Sequence, residues 1–122
     1  MNWAESSLTD DGTIDYTAGA TSMVGAKLAF SFTINVKSAN VDVYDTISCG
    51  IGSCKILFVN TDTKKVESRY LETAYDTIKL NGGNYKVYIV AKDDASFTVT
   101  PSLSCPDGNV EWTTNPVEVT DD

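Results

Sequence analysis

Residues 77–99, TIKLNGGNYKVYIVAKDDASFTV, decide the fold class of this chain because apolar and polar side chains alternate along them. Successive side chains of a β-strand point to opposite faces, so this alternation favours strands over a helix. Asn81-Gly82 is a dipeptide typical of tight hairpins, and the polar segment 92–96 supplies a second break. The stretch therefore predicts a β-meander of three strands.

Other segments of the chain show the same patterns. The nine residues 28–36, LAFSFTINV, alternate cleanly and predict a strand with one face on the core. The continuous apolar run 55–59, KILFV, predicts an inner strand, and 64–74, KKVESRYLETA, fits strand and helix spacing but is interpreted as a strand beside strands. The segment 18–27 contains two glycines and is predicted to be a loop.

Short strands that recur at intervals of about 8 to 12 residues are typical of sandwiches and barrels. We therefore expect an all-β protein, a two-sheet antiparallel β-sandwich of jelly-roll or immunoglobulin-like type with about eight or nine strands. The whole chain, 1–122, is interpreted as one domain. Residues 1–12 are expected to form a leading arm, and residues 106–122 an edge strand or a tail.

The charge of the chain excludes two classes of partner. Nine basic and seventeen acidic residues give a net charge of −8, and no cluster of Lys and Arg is present. A surface that neutralises phosphates needs such a cluster, so neither nucleic acid nor an anionic membrane surface is expected as a partner. No apolar run approaches the roughly 20 residues of a membrane-spanning helix, so no membrane insertion is expected.

The sequence contains no histidine. This excludes Ser-His-Asp and Cys-His catalysis and every metal site that needs an imidazole ligand. We therefore expect a protein that is not an enzyme and that uses no cofactor. A hydrolase that works with carboxylates alone is kept as a minor alternative, because seventeen acids make a suitably spaced pair easy to form.

The segment Cys49-Gly50-Ile51-Gly52-Ser53-Cys54 is the most distinctive local feature. Cys49 and Cys54 are candidates for a disulfide across a tight turn, which would present Ile51 at its tip. Cys105 is then either free or the partner of one of the other two, and the sequence does not choose between these pairings. Three cysteines without histidine supply too few ligands for zinc.

Two further groups of residues are candidates for ligand binding. Carboxylates at positions 10, 11 and 15, and Asp93-Asp94, offer oxygen atoms to calcium, but neither group matches a calcium-binding loop and no metal site is predicted. Exposed aromatic side chains stack on sugar rings, and we take Tyr70, Tyr75 and Tyr88 as candidates for such contacts.

Two stretches, LAFSFTINVKSANVDVYD at 28–45 and IKLNGGNYKVYIVAKDDASFTVTP at 78–101, resemble the pre-peptidase C-terminal domains found beside secreted bacterial peptidases. The resemblance covers roughly 28–101 and includes Leu80, Gly83 and Tyr85, whereas the cysteine-flanked insertion departs from it. It implies a jelly roll, secretion, a non-catalytic accessory role, and a corner in which the tyrosine packs and hydrogen-bonds.

The predicted function is therefore a non-catalytic binding or accessory module, secreted or attached to the surface of a bacterium, that recognises protein or carbohydrate. The first residues lack the pattern of a secretory signal, so this interpretation expects the signal to have been removed. The alternative is a small proteinase inhibitor or protein-blocking effector that uses the loop around Ile51. Oligomeric state and ligand identity are left open by the sequence.

Overall fold

The computed structural model describes residues 2–10, 13–70, 74–105 and 110–114, and every regular element in these residues is a β-strand. Five strands are present: β1 (Asn2–Asp10), β2 (Thr13–Asn60), β3 (Val66–Tyr70), β4 (Ala74–Ser104) and β5 (Val110–Thr114). All of their pairings are antiparallel, which confirms the all-β prediction. The described residues contain no helix that could cross a membrane.

Strands β2 and β4 are far longer than an ordinary strand, and each bends several times. The register of β2 shifts within 20–25, 34–38 and 49–53. Left-handed backbone conformations occur at or beside such bends, with φ of 111° at Gly25 and 77° at Gly52. The bends divide the two strands into straight runs, 13–23, 25–34, 38–51 and 53–60 in β2 and 74–81, 83–92 and 95–104 in β4.

The runs fall into two pairing sets, within which each strand is hydrogen-bonded to its neighbours. The first set has the spatial order β1, 13–23, 95–104, 38–51 and 74–81. The second set has the spatial order β5, 25–34, 83–92, 53–60 and β3. Along the sequence the chain passes from one set to the other at nearly every bend, so most neighbours in space are distant in sequence.

The meander predicted for residues 77–99 is wrong. Run 83–92 has both edges occupied, by 25–34 on one side and by 53–60 on the other. A strand has only two hydrogen-bonding edges, so this run cannot also pair with 74–81 or 95–104. The alternation identified the strands correctly, but their partners come from elsewhere in the chain.

The Asn-Gly-Gly-Asn segment, 81–84, is consequently a crossing between the two sets and not a hairpin turn. A Cβ atom on Gly82 would lie 2.0 Å from the carbonyl oxygen of Val36, so the backbones pass in direct contact. Gly83 has a φ of 137°, and a Cβ there would lie 2.9 Å from Oδ2 of Asp62. Both positions therefore require glycine for tertiary reasons.

One cluster of buried apolar side chains draws on both pairing sets. The ring of Phe32 stacks on Tyr85 with centroids 4.9 Å apart and meets Phe58 edge-on at 6.5 Å. The Tyr85 contact joins neighbouring runs of the second set, and the Phe58 contact joins the two runs that flank 83–92. The largest fully buried side chains are Tyr16, Phe30, Phe32, Phe58, Ile14, Met23, Ile56, Leu80, Ile89, Leu103, Val41 and Val43.

The strand predicted at 28–36 buries its central residues as expected, but its two ends differ. A register shift between Leu28 and Phe30 places Ala29 in the core and leaves Leu28 half-buried. Such a bulge sets two residues of one strand against one of its partner and so reverses the alternation. At the other end, Val36 is exposed next to the 34–38 bend.

The loop predicted for 18–27 is wrong. Ala18 and Ala20 are buried within run 13–23, and Met23 is fully buried beyond them. Small residues pack there between the neighbouring runs, so their low β-propensity is overridden by burial. The strand interpretation of 64–74, in contrast, is confirmed for the part that β3 covers.

The first and the last strand of the described residues lie at edges of the pairing sets. β1 replaces the leading arm predicted for 1–12, because its backbone pairs with 13–21 and Trp3 packs against the core. The phenolic hydroxyl of Tyr16 donates a hydrogen bond to Glu5 and adds a side-chain contact between these strands. β5 lies within 106–122 and pairs with 30–34 at one edge of the second set, and the residues around it lie outside the described part of the chain.

Candidate binding face

The outward side chains of the first pairing set form regular rungs across its strands. The register aligns three such rungs: Asp15, Ser102, Tyr44 and Tyr75; Ser6, Thr17, Thr100 and Thr46; Ala4, Gly19, Thr98 and Ser48. Their members are exposed or half-buried, while the residues between them are mostly buried, as period-two alternation requires. We call this surface the hydroxyl face because seven of its twelve residues are Ser or Thr.

Tyr44 and Tyr75 form an exposed aromatic pair at one border of the hydroxyl face. They are direct partners in the register, their ring centroids lie 6.5 Å apart, and their planes are tilted by 55°. The side chains are 52% and 65% exposed respectively. Two tyrosines that leave this much ring surface in water form a platform that is available to a ligand.

A shallow trough lies at the other end of the hydroxyl face. It is lined by Ala4, Glu5, Ser6, Thr17, Gly19 and Thr98, is open to solvent, and has a volume of about 300 Å³. The trough exists because Gly19 has no side chain and Ala4 beside it has a small one. A Cβ on Gly19 would meet its nearest neighbour, the carbonyl oxygen of Phe97, at 3.4 Å, so a side chain fits there.

The polar groups of the hydroxyl face are partly engaged with one another. Ser102 donates a hydrogen bond to Asp15, and Thr17 donates to Thr100 over 3.4 Å. Among the described side chains of the three rungs, Asp15 alone carries a charge. The face therefore offers hydroxyl donors and acceptors in a weakly acidic setting, which suits a neutral polar ligand better than an anion.

The binding residues predicted from the sequence do not come together. Tyr75 lies on the hydroxyl face, whereas Tyr88 is half-buried in the second pairing set. Tyr70 ends β3, also in the second set, and its side chain lies outside the described part of the structure. Ile51 is 60% exposed at the bend between 38–51 and 53–60, away from all three tyrosines in the register.

Sequence reasoning missed Tyr44 as a site residue. The signal was present, because Val41 and Val43 are buried and period-two alternation then places Tyr44 on the outer face. What the sequence did not contain was its pairing with Tyr75, since 31 residues separate the two positions.

The candidate disulfide is not formed in this structure, where Cys49, Cys54 and Cys105 are all free thiols. Cys49 is exposed, and its thiol donates to the carbonyl oxygen of Ile51 over 3.2 Å. Cys54 is buried beside it. Burial, followed by the charge and hydrogen bond of Cys49, raises the pKa of Cys54 from its ordinary value of 9.0 to about 12.

The carboxylates considered as calcium ligands are dispersed. Asp15 accepts its hydrogen bond from Ser102, and Asp93 and Asp94 are exposed turn residues with φ of 62° and 52°. Position 11 and the side chain at position 10 lie outside the described residues. Within the described part of the chain, no three candidate ligands gather in one place.

No protein-family model matches the sequence, and the search of curated proteins finds no match. Several solved structures are similar in fold. Peruvianin-I, a cysteine peptidase from Thevetia peruviana latex, is 12% identical with a TM-score of 0.45, and the match covers 92% of this chain and 67% of that protein. A structure of Bacillus endospore appendages, described as disulfide-linked pili, is 14% identical with a TM-score of 0.46 and coverages of 93% and 89%.

An oxalate oxidase is also similar, with 11% identity, a TM-score of 0.44 and a match over 92% of this chain. This chain spans about half, 54%, of the length of that enzyme. The identities are low and the three proteins differ in function. These similarities therefore carry no functional argument for this chain.

Proposed function

We propose that the two pairing sets are the two layers of a jelly-roll sandwich of ten strands. The chain alternates between the sets, and this alternation generates the antiparallel order 13–23, 95–104, 38–51, 74–81 in one and 25–34, 83–92, 53–60, β3 in the other. β1 adds a strand at one edge of the first set, and β5 adds a strand at one edge of the second set. The shared buried cluster supports this arrangement, because each apolar face then covers the other.

We infer that the protein is a non-catalytic binding module and that its ligand is a neutral glycan. The single observation that carries this proposal is the exposed pair Tyr44–Tyr75 at the border of the hydroxyl face. The resemblance to pre-peptidase C-terminal domains supports the further proposal that the module is secreted or surface-associated in a bacterium.

The chemistry of a sugar ring matches this surface. One face of a pyranose is largely C–H and packs on an aromatic ring, while its hydroxyls exchange hydrogen bonds with side chains at the ring's rim. Tyr44 and Tyr75 supply the rings, and the threonines of the neighbouring rung supply the hydroxyls. The acidic border and the absence of cations among the described side chains of the rungs disfavour sulfated or phosphorylated chains.

The length of the hydroxyl face suits an oligosaccharide. The rung of Tyr44 and the rung of Gly19 are four residues apart along the strand, which is about 13 Å at strand rise. Their strands are two steps apart across the set, about 10 Å. A glycan that lies diagonally would contact the tyrosine platform at one end and the trough at the other.

The test is binding to an array of neutral, sulfated and uronic-acid oligosaccharides, followed by calorimetry with the strongest neutral binder. Tyr44→Ala and Tyr75→Ala should each raise Kd about tenfold, or about 1.4 kcal/mol. Gly19→Thr should weaken binding by filling the trough while leaving thermal stability unchanged. Tyr88→Ala is the matched control, because it removes a tyrosine from the other pairing set.

Two results would overturn the glycan proposal. One is a complete lack of binding to neutral oligosaccharides at millimolar concentration by protein whose circular dichroism is native. The other is binding that Tyr44→Ala and Tyr88→Ala reduce equally. Preference for the sulfated or uronic-acid members would contradict the electrostatic argument in particular.

A second candidate function has one observation in its favour. Ile51 is 60% exposed at a bend whose backbone is held by close packing of Gly52, so it presents an apolar side chain on a fixed loop. Rigid apolar loops of this kind insert into partner pockets in protein-blocking effectors. Inhibition of a protease panel by the wild type, lost in Ile51→Asp and kept in Tyr44→Ala, would establish this function; no inhibition would exclude it.

A further inference from the structure

We propose that Cys49 and Cys54 form a thiol–disulfide exchange site, at which a small external disulfide converts the two thiols into an intramolecular bridge. This inference is independent of the glycan proposal. It rests on the placement of an accessible thiol next to a buried one at the bend that connects the two pairing sets.

The two sulfur atoms have different access to solvent. Cys49 is exposed, and its thiol donates to the carbonyl oxygens of Ile51, at 3.2 Å, and Gly52, at 3.5 Å. Cys54 is only 3% exposed and follows on the same bend, and the contact of the Cys49 thiol with Gly52 turns that thiol over the bend. An external disulfide therefore meets Cys49 first, and Cys54 is in position for the second step.

The bend that carries the two cysteines is held against a neighbouring turn. Gly52 has a φ of 77°, and a Cβ there would lie 2.5 Å from the carbonyl oxygen of Lys92 and 2.7 Å from Cα of Ala95. The bend between the two cysteines is therefore packed on residues 92–95. A Cβ on Gly50, in contrast, would meet no atom within 4 Å, so the approach to Cys49 is open.

The exchange has two balanced steps. The Cys49 thiolate attacks one sulfur of the external disulfide, forms a mixed disulfide and expels one thiolate. The Cys54 thiolate then attacks Sγ of Cys49, forms the protein disulfide and expels the second thiolate. One molecule of external disulfide is reduced to two thiols, and the protein loses the two thiol protons.

The second step should depend strongly on pH. Burial is the largest cause that raises the pKa of Cys54, and it persists when Cys49 is held in the mixed disulfide, so the Cys54 thiolate is scarce at neutral pH. Closure of the mixed disulfide should therefore accelerate about tenfold for each pH unit well below that pKa. A transient adduct on Cys49 should be visible at neutral pH and should disappear faster in alkaline buffer.

The experiment uses the reduced full-length protein, excess oxidised glutathione and intact-mass analysis over time. The wild type should pass through one glutathione adduct and end two hydrogens lighter. Cys54→Ser should stop at the stable glutathione adduct. Cys49→Ser should form neither the transient adduct nor the intramolecular bridge. Cys105→Ser should form both, as the wild type does. Gly50→Ala should form the disulfide at the wild-type rate, whereas Gly52→Ala should form it more slowly.

A native far-ultraviolet spectrum is required of each variant before its kinetics are compared. If Cys54→Ser does not fold, Cys54→Ala replaces it, since alanine leaves a small apolar side chain at the buried position. A stable adduct on the wild type at alkaline pH would overturn the proposal. So would a disulfide-linked dimer as the main product, or closure that involves Cys105.

Discussion

The phenolic hydroxyl of Tyr85 donates a hydrogen bond to the carbonyl oxygen of Asn81, 2.6 Å away and four residues earlier in the chain. The same side chain is buried and stacks on Phe32, so one residue ties the 81–84 crossing to the core. Tyr85 therefore both packs and hydrogen-bonds at the corner that this crossing forms. Burial is also the main reason that the pKa of Tyr85 is raised.

Tyr85→Phe should destabilise the protein by about 1 kcal/mol, because the ring stays packed while the partly buried hydrogen bond to the Asn81 carbonyl is lost. Urea unfolding followed by fluorescence measures this difference. Tyr75→Phe removes a hydroxyl from an exposed ring and should change stability by less than about 0.5 kcal/mol. Equal effects of the two substitutions would contradict the corner role.

Gly82→Ala should be among the most damaging single substitutions, with a cost of about 3 kcal/mol or more, because its Cβ would collide with the backbone of Val36. Gly50→Ala adds the same methyl group at a site with open space around it and serves as the control. Thermal unfolding by differential scanning calorimetry distinguishes them. A Gly82→Ala protein as stable as Gly50→Ala would show that the two backbones are not in direct contact at the crossing.

Asn60 is 2% exposed, and its side-chain oxygen accepts from the main-chain nitrogens of Asp62, at 3.0 Å, and Thr63, at 3.1 Å. Its side-chain nitrogen donates to the carbonyl oxygen of Gly82 over 3.3 Å. Asn60→Ala should cost about 2–4 kcal/mol, because a buried side chain that makes three partly buried hydrogen bonds is lost. Asn60→Asp, which keeps an acceptor for the turn, should cost less in urea unfolding; the reverse order would refute this assignment.

The stability of the protein should decline in alkaline solution. Burial, and then the hydrogen bond and charge of Glu5, raise the pKa of Tyr16 far above its ordinary value of 10.0. Burial likewise raises the pKa of Cys54 from 9.0 to about 12. Both groups keep their protons in the folded state at a pH at which the unfolded chain has released them. Their contribution to the free energy of unfolding is therefore complete below about pH 9 and is lost as the pH rises.

Urea midpoints measured between about pH 8 and pH 11 test this decline. Tyr16→Phe and Cys54→Ser should each reduce the decline of the urea midpoint at alkaline pH. Tyr16→Phe should also lower the free energy of unfolding by about 1–2 kcal/mol at neutral pH, because the hydrogen bond to Glu5 is lost. Tyr75→Phe is the control for an exposed tyrosine. Stability that stays constant up to about pH 11 would contradict the burial of both groups.

The amino-acid sequence by itself determined that the chain forms strands and which side chains are buried in most of them. Period-two alternation is a local property, so the buried faces of 30–34 and 85–91 could be identified from neighbouring residues alone, whereas the bulge before Phe30 and the bend after Ile34 could not. The lack of histidine likewise fixed the excluded catalytic mechanisms without any structure.

Only the tertiary structure decided which strands pair, because a strand's hydrogen-bonding edges are generic and carry little information about their partner. For this reason the strands expected to form one meander belong to two interleaved pairing sets. The segment 81–84, whose sequence is typical of a hairpin turn, is a crossing between these sets. The pairing of Tyr44 with Tyr75, and hence the candidate binding face, follows from that long-range register. The local pattern of apolar and polar side chains determines which segments form strands. Which strands become neighbours is determined by the burial of their apolar side chains in one common core.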